Sequence, residues 1–575
     1  MDPDGSATQS PGGPDGTKRP TVALIGCGVS GMFFLHAVAS RHKQQIEQGR
    51  EDVVLPSVVC FERADEPGGC WRSPPNKDKE LPHNLSCWYD DVWSNTCKET
   101  FELPDYTFQD HFKSEVPTFL PRKPLLNYLV QRTLTADPDL YQQNTAAPRS
   151  GLDAPLHEVR FGTAVTSVVF DKEKNGFTVT STPMAIPDGN MTDHDEQGPG
   201  DQQRKSDRKE TKQEEGAGGD VRIENFDYCI WAAGLRGLPR LPRSLLKVLQ
   251  TGFLGETDNE DVNEEGVPVP FRGSILHSIQ MSSPDFVGAV QNKRIVIVGD
   301  SNSAEDLSLQ SLKWGVEKVY VLSRSGYRDC VYMGSWPGTK RDDGTVERKV
   351  EVHIGMPYRI VGDGHTVKCC PIIWNHEQEA YELDDNEDEI VLENIDSVIF
   401  CTGYVSNKGF LSPELRVETD RIMSYTWSAP ADFRMKENAL TPDIGHVQPS
   451  AELSLSGNII PGLYRTVLIS NPKMMYLMDV NSELPVLQLE AFARLSLAYI
   501  TKEAVLPNTE DMESEIQSQM MDEMNIAYLR WSMDRNFFDA LDELGDDHWS
   551  DNYDDARSTE LNREFMEYYC RIFAR

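Results

Sequence analysis

Short apolar runs, each closed by a glycine turn or a helix signal, recur along this chain. Thr21–Ile25 (TVALI), Ser57–Phe61 (SVVCF), Arg294–Val298 (RIVIV), residues 319–322 (VYVL) and Ser397–Phe400 (SVIF) are rich in β-branched residues with little polar interruption. Runs of this kind suit parallel strands buried on both faces, which predicts an α/β fold. Helices are expected over 32–42 and from about 305 onward. Two polar stretches break the pattern, 183–220 and 255–266, and the N-terminal segment 1–19 is rich in Gly, Pro, Asp and Ser. None of them has enough apolar surface to bury, so 1–19 and 183–220 are expected to be disordered. Residues 506–575 are acidic, yet carry Met, Trp, Phe and Tyr at helix-like spacings. That pattern predicts an acidic helical extension docked on the body.

Composition narrows the partners. At about 150 residues per domain the length allows about four domains, although large α/β enzymes often hold as much in two. The 92 acidic and 56 basic residues leave a net charge of −36, which repels phosphate backbones and anionic lipid headgroups. This argues against nucleic acid as a partner. No uninterrupted apolar run reaches about 18 residues, so no membrane anchor is expected. The eleven cysteines include no CxxC, and only Cys369 and Cys370 are adjacent. Neither a disulfide framework nor a zinc site follows, and without a secretory signal the expected compartment is cytoplasmic.

The chemistry lies in two glycine turns. Gly26-Cys27-Gly28-Val29-Ser30-Gly31 follows the TVALI run and opens a helix. Its glycines permit a tight turn, close approach of a pyrophosphate, and packing of the helix on the sheet. Glu62, at the end of the next strand, is placed to accept ribose hydroxyls, although it lies farther on than the usual spacing of about 20 residues. The polar stretch 44–52 supplies the extra length. Gly299-Asp300-Ser301-Asn302-Ser303-Ala304 follows the RIVIV run and is a degenerate copy, with Ser301 and Ala304 in place of glycines. Arg324, just beyond the following strand, either pairs with a ribose 2′-phosphate, favouring NADP over NAD, or is a solvated surface arginine. Two nucleotide turns with different strand-end residues suggest two dinucleotides, FAD and NADPH, which exchange hydride when their rings stack. The expected fold is therefore two Rossmann-like dinucleotide-binding domains.

These motifs resemble the flavin-containing monooxygenases. The resemblance rests on Gly26–Gly31, FERADEPGGCWR with Gly68, Gly69 and Trp71, VWSNTCKE with Asn95, the FxGxxxH of Phe271, Gly273 and His277, GDSNSAED, and the CTGY of Cys401–Tyr404. YDDVWSNTCKE, LPDYTFQDHF and SAEDLSLQ are similar to the trimethylamine monooxygenase branch. The resemblance implies that NADPH reduces FAD, dioxygen adds to give a flavin hydroperoxide, and a small amine or sulfide takes up the distal oxygen. Trimethylamine is the first-choice substrate. It further implies that Gly26, Gly28, Ser30, Gly31, Glu62, Gly69, Cys70 and Trp71 hold FAD, and that Tyr89, Gly299, Ser301, Asn302, Ser303, Arg324 and Thr402 serve the nucleotides. Asn95 is the expected catalytic residue beside the flavin. Met281 stands where the fingerprint has an aromatic residue, and Asn302 where the trimethylamine branch carries tyrosine.

The expected layout places an FAD-binding domain at 20–270 and 394–505, with an NADP-binding domain at 271–393 inserted into it. The apolar strands at 228–234 and 397–403, ending in Ala-Gly and Thr-Gly, mark the crossings between the domains. His277 is expected to shape that linker rather than move protons, and the cluster of Met474, Met475, Tyr476 and Met478 to be core or pocket lining. Two rival functions stay open, an NADPH oxidase releasing peroxide and a nucleotide-binding interaction protein, and the chain acts as a monomer or a homodimer.

Overall fold

A computed structural model describes residues 19–49, 53–72, 92–94, 98–142, 156–184, 221–234, 237–254, 267–323, 336, 338–341, 343–344, 346–375, 380–383, 389–417, 426–427, 453–454, 460, 462–478 and 484–525. Seven strands form one sheet, in the order Leu463–Tyr464, Val467–Leu468, Met474–Tyr476, Tyr228–Trp231, Thr21–Ile25, Ser57–Phe61 and His157–Arg160. From Met474–Tyr476 to His157–Arg160 every neighbouring pair is parallel. Thr21–Ile25 is central because β-branched residues with both faces covered lose least in the interior, and its last four residues are buried. The chain leaves it through the helix Val29–Gln48 to Ser57–Phe61 on one side, whereas Tyr228–Trp231 joins on the other. The Gly26 turn thus opens at a change of strand order, where ligands of such sheets bind.

The helix runs farther than the expected 32–42, into the polar stretch that separates the turn from Glu62. It closes at Gly49, whose φ of 62° lets its N–H reach back to the carbonyls of Gln45 and Ile46. The helix Pro485–Thr501 packs beside it and is buried along nearly its whole length.

Five parallel strands form a second sheet, in the order Val350–Ile354, Lys318–Ser323, Arg294–Val298, Ser397–Phe400 and Ser274–His277. Successive residues of a strand face opposite sides, and here each side has its own core. Val296, Val298, Leu322, Val398 and Phe400 pack with Leu245, Val248 and Leu249 of the helix Arg243–Thr251. Ile295, Ile297, Val321 and Ile399 pack with Ala304 and Leu307 of the helix Asn302–Lys313. Ser397–Phe400, expected on the far side of the boundary at 394, lies inside this sheet, and the helix Arg243–Thr251 joins its core ahead of 271.

The two chain crossings meet. Gly234 and Gly403 lie three residues beyond the strands Tyr228–Trp231 and Ser397–Phe400, with φ of 74° and 82°, and the segments beyond them pair antiparallel, Tyr404 with Pro239 and Val405 with Leu238. Residues 185–220 of the first insertion lie outside the described residues, but its flanks Gly176–Pro183 and Arg222–Phe226 are antiparallel neighbours. The insertion therefore replaces a hairpin turn, where extra length costs little closure entropy. The segments 1–18 and 255–266 are likewise outside the described residues. Of the acidic extension, the helix Thr509–Asn525 is described, and it docks through buried Met512 and Ile516.

Candidate functional site

The first turn is built on backbone contacts that exclude side chains. Gly26 N–H donates to Phe61 O at 2.8 Å, and its φ of 101° belongs to glycine. A Cβ there would lie 2.6 Å from Ala232 O, and one on Gly31 would lie 2.1 Å from Gly26 O. The helix that follows has Gly28 as N-cap, no side-chain cap and no acid in its first turn, although Val29, Ser30 and Gly31 are buried. Buried N–H groups at a helix start need an acceptor, and a pyrophosphate supplies one. The segment Gly69–Trp71 forms the facing wall, with Gly68 N–H donating to Cys27 O at 2.8 Å. A Cβ on Gly69 would come within 2.9 Å of Gly28 Cα. Glu62 is buried and its two carboxylate oxygens accept from Cys27 N–H at 2.6 Å and Ala64 N–H at 2.8 Å. Each oxygen keeps a further lone pair for a ribose hydroxyl.

The second turn repeats this geometry. Gly299 N–H donates to Leu322 O at 3.0 Å, its φ is 108°, and a Cβ would lie 2.5 Å from Cys401 O. Ser301 caps the next helix with φ −90° and ψ −170°, against −72° and −171° at Gly28, and again no side chain caps it. Ser301 and Asn302 are exposed, Ser303 is half-buried, and Ala304 is buried beneath the turn. The residues of both turns fit a dinucleotide by the same tests: positive-φ glycines seated on backbone, small residues at the approach, and helix starts without side-chain caps.

Residues 18–143 match the family described as flavin-binding monooxygenase-like. The chain is similar to flavin-containing monooxygenases. It is 26% identical over 404 residues to a trimethylamine monooxygenase of Methylocella silvestris, the match covering 69% of this chain. That match spans 63% of the relative, so the chain accounts for less than two thirds of its length. Flavin-containing monooxygenase 5 of Rattus norvegicus is 22% identical, covering 75% of this chain and 71% of the relative. Among solved structures, Tmm from a Pelagibacter strain superposes with a TM-score of 0.57 at 20% identity, covering 91% of this chain and 85% of that one. S-allyl-L-cysteine S-oxygenase from Allium sativum gives 0.52 at 16% identity, covering 95% and 94%. These two share the fold.

Of the site residues expected in this monooxygenase relative, Gly26, Gly28, Ser30, Gly31, Glu62, Gly69, Cys70 and Trp71 come together at the first turn. Gly299, Ser301, Asn302 and Ser303 come together at the second. Thr402 follows the residue that seats Gly299, and its hydroxyl donates to Arg240 O on the opposite crossing segment. Tyr89, Asn95 and Arg324 lie outside the described residues.

His277 is a joint. Its Nε2 faces Gly403 O at 3.1 Å and its Nδ1 accepts from Ile279 N–H at 3.1 Å, so the ring is neutral with the proton on Nε2. Burial pushes its pKa down to about 4. Two cysteines of the turns, Cys27 and Cys401, are inert thiols: the Cys60 thiol and burial push Cys27 up, and burial pushes Cys401 up to about 12. Met474, Met475, Tyr476 and Met478 are core, buried beside Tyr228–Trp231 with the Tyr476 hydroxyl on Leu415 O. Sequence reasoning missed Arg122. This wholly buried arginine at the start of the helix Arg122–Leu134 donates through Nη1 to Trp71 O, at 2.9 Å, and to Arg72 O. It holds the wall of the first turn, yet an arginine opening a helix carries no signal that separates it from a solvated one.

Proposed function

We propose that the chain is an FAD- and NADPH-dependent monooxygenase that oxygenates the nitrogen or sulfur of a small soft nucleophile, with trimethylamine as first-choice substrate. The observation that carries this reading is the twice-built turn: two strand–turn–helix units whose first glycines are seated on backbone in the same way. The trimethylamine monooxygenase relatives support the substrate class. The first unit binds FAD, with the helix start after Gly28 facing the pyrophosphate and Glu62 taking the ribose. The second binds NADPH through Gly299, Ser301, Asn302 and Ser303.

Bound flavin supplies the two-electron chemistry that activates dioxygen once NADPH has reduced it. The chain's own residues bind, orient and exclude water. Asn95 and Tyr89 are carried from the sequence motif, Asn95 as the amide beside the reacting centre and Tyr89 as a contact of the nicotinamide nucleotide. The inert thiols and the neutral, backbone-held His277 fit a site in which the protein contributes no nucleophile.

Purified protein is expected to be yellow and to oxidise NADPH faster with trimethylamine present, forming one N-oxide per NADPH. Protein that cannot be loaded with flavin would sink the reading. Stoichiometric peroxide without oxygenated product, across a panel of amines and sulfides, would turn it into an oxidase.

A further inference from the structure

The second turn departs from the first in where its acid stands, and this bears on the nucleotide it prefers. The inference rests on the nucleotide-binding function proposed above. The strands align in register, with Ile25 opposite Phe61 and Val298 opposite Leu322. Gly26 therefore corresponds to Gly299, Cys27 to Asp300 and Glu62 to Ser323. In the first turn the acid is at the strand end, where Glu62 accepts the Cys27 N–H. In the second the strand end is Ser323, fully buried, and its hydroxyl donates to Asp300 Oδ2 on the turn itself. Gly355 N–H donates to Ser323 O at 2.8 Å and fixes the strand end from the other side. The carboxylate has thus changed places along the chain while reaching the same corner of the site.

In this fold that corner faces the adenosine ribose, where a carboxylate accepts a 2′-hydroxyl and an arginine pairs with a 2′-phosphate. A phosphate monoester carries roughly −1.5 to −2 charges near neutral pH. We propose that Asp300 is a specificity residue of the second turn: its carboxylate, held at the ribose corner by Ser323, opposes a 2′-phosphate and accepts a 2′-hydroxyl, so that the chain takes NADH as well as NADPH.

Asp300→Asn keeps the size of the side chain and an acceptor for Ser323 while removing the charge, and Asp300→Ser tests the same point with a smaller group. Dissociation constants of the flavin-loaded full chain are measured for NADP⁺, NAD⁺, 2′,5′-ADP and 5′-AMP. Removing the charge is expected to tighten NADP⁺ and 2′,5′-ADP about tenfold, leaving NAD⁺ and 5′-AMP unchanged or weaker. If both variants keep the wild-type ratio of 2′,5′-ADP to 5′-AMP affinity, the inference is overturned while the nucleotide reading stands. If all four ligands weaken alike in both variants, Asp300 only shapes the turn and the inference falls. A wild-type chain that binds none of the four overturns the nucleotide reading and this inference with it.

Discussion

Gly31 is the position where one atom decides whether the first turn exists. An added Cβ would stand 2.1 Å from Gly26 O, and the backbone of the turn must yield for it to fit. Overpacking of this kind costs roughly 1–3 kcal/mol, and the strain falls on the helix start that would receive the pyrophosphate. Gly31→Ala should therefore purify folded but with flavin content reduced at least about tenfold, read from the visible absorbance per chain. Full flavin occupancy in that variant would show that the turn adapts. His277 gives a second test at this scale. Its folded pKa of about 4 lies below the usual value of about 6.5, so between those values the unfolded chain binds the extra proton. Stability should be full above about pH 6.5 and decline as pH falls towards 4. His277→Gln, whose amide still donates to Gly403 O, should flatten that slope by up to one proton, as followed by thermal unfolding from pH 4 to 7. An unchanged slope would mean that the ring titrates as it does in the unfolded chain.

At the scale of the elements, a buried charge network ties three helices together. Arg132 of the helix Arg122–Leu134 donates to both oxygens of Glu490 in the helix Pro485–Thr501, at 2.8 and 2.6 Å, and its Nη2 donates to Asp105 at 2.8 Å. Its guanidinium also lies 5.4 Å from the Phe33 ring of the helix after the first turn. Removing one member leaves an uncompensated buried charge, so Arg132→Met should cost about 3–5 kcal/mol in chemical denaturation. The double substitution Arg132→Met with Glu490→Leu should recover much of that loss; a double variant as unstable as the single would show that packing, not charge, is at stake. Nothing in the sequence announced this network, because its members stand 358 residues apart and each reads locally as a solvated charge. The strands and turns were legible for the opposite reason: apolar runs and positive-φ glycines state their requirement within a few residues. Sheet membership lies between these cases. Ser397–Phe400 was recognisable as a strand, but its pairing with Arg294–Val298, about a hundred residues earlier, has no local signature. Arg122 and Asp300 were missed in the same way, since their meaning comes from what the fold brings against them.

At the scale of the whole molecule the charge is unevenly spread: beyond Leu506 the chain holds 18 acidic and 6 basic residues, 12 of its 36 excess negative charges. Among the described residues no helix is long and apolar enough to cross a membrane. The helix Thr509–Asn525 nonetheless joins the body by apolar contact, through Met512 and Ile516, reinforced where Glu515 accepts from the Tyr464 hydroxyl at 3.0 Å and from Arg465 at 3.4 Å. The strand Leu463–Tyr464 that it contacts is, among the described residues, the edge of the seven-stranded sheet, and an exposed edge is a site of association between chains. Fully burying two such side chains is worth about 1.5–3 kcal/mol each. In a unit of this size each kcal/mol moves the melting point by roughly 2–4 °C. Met512→Ser with Ile516→Ser in the full chain should therefore melt several degrees lower and self-associate more readily, while keeping its flavin and its NADPH oxidation. Loss of flavin in that variant would make the helix part of the binding body. An unchanged melting point and a monodisperse sample would show that the edge needs no cover.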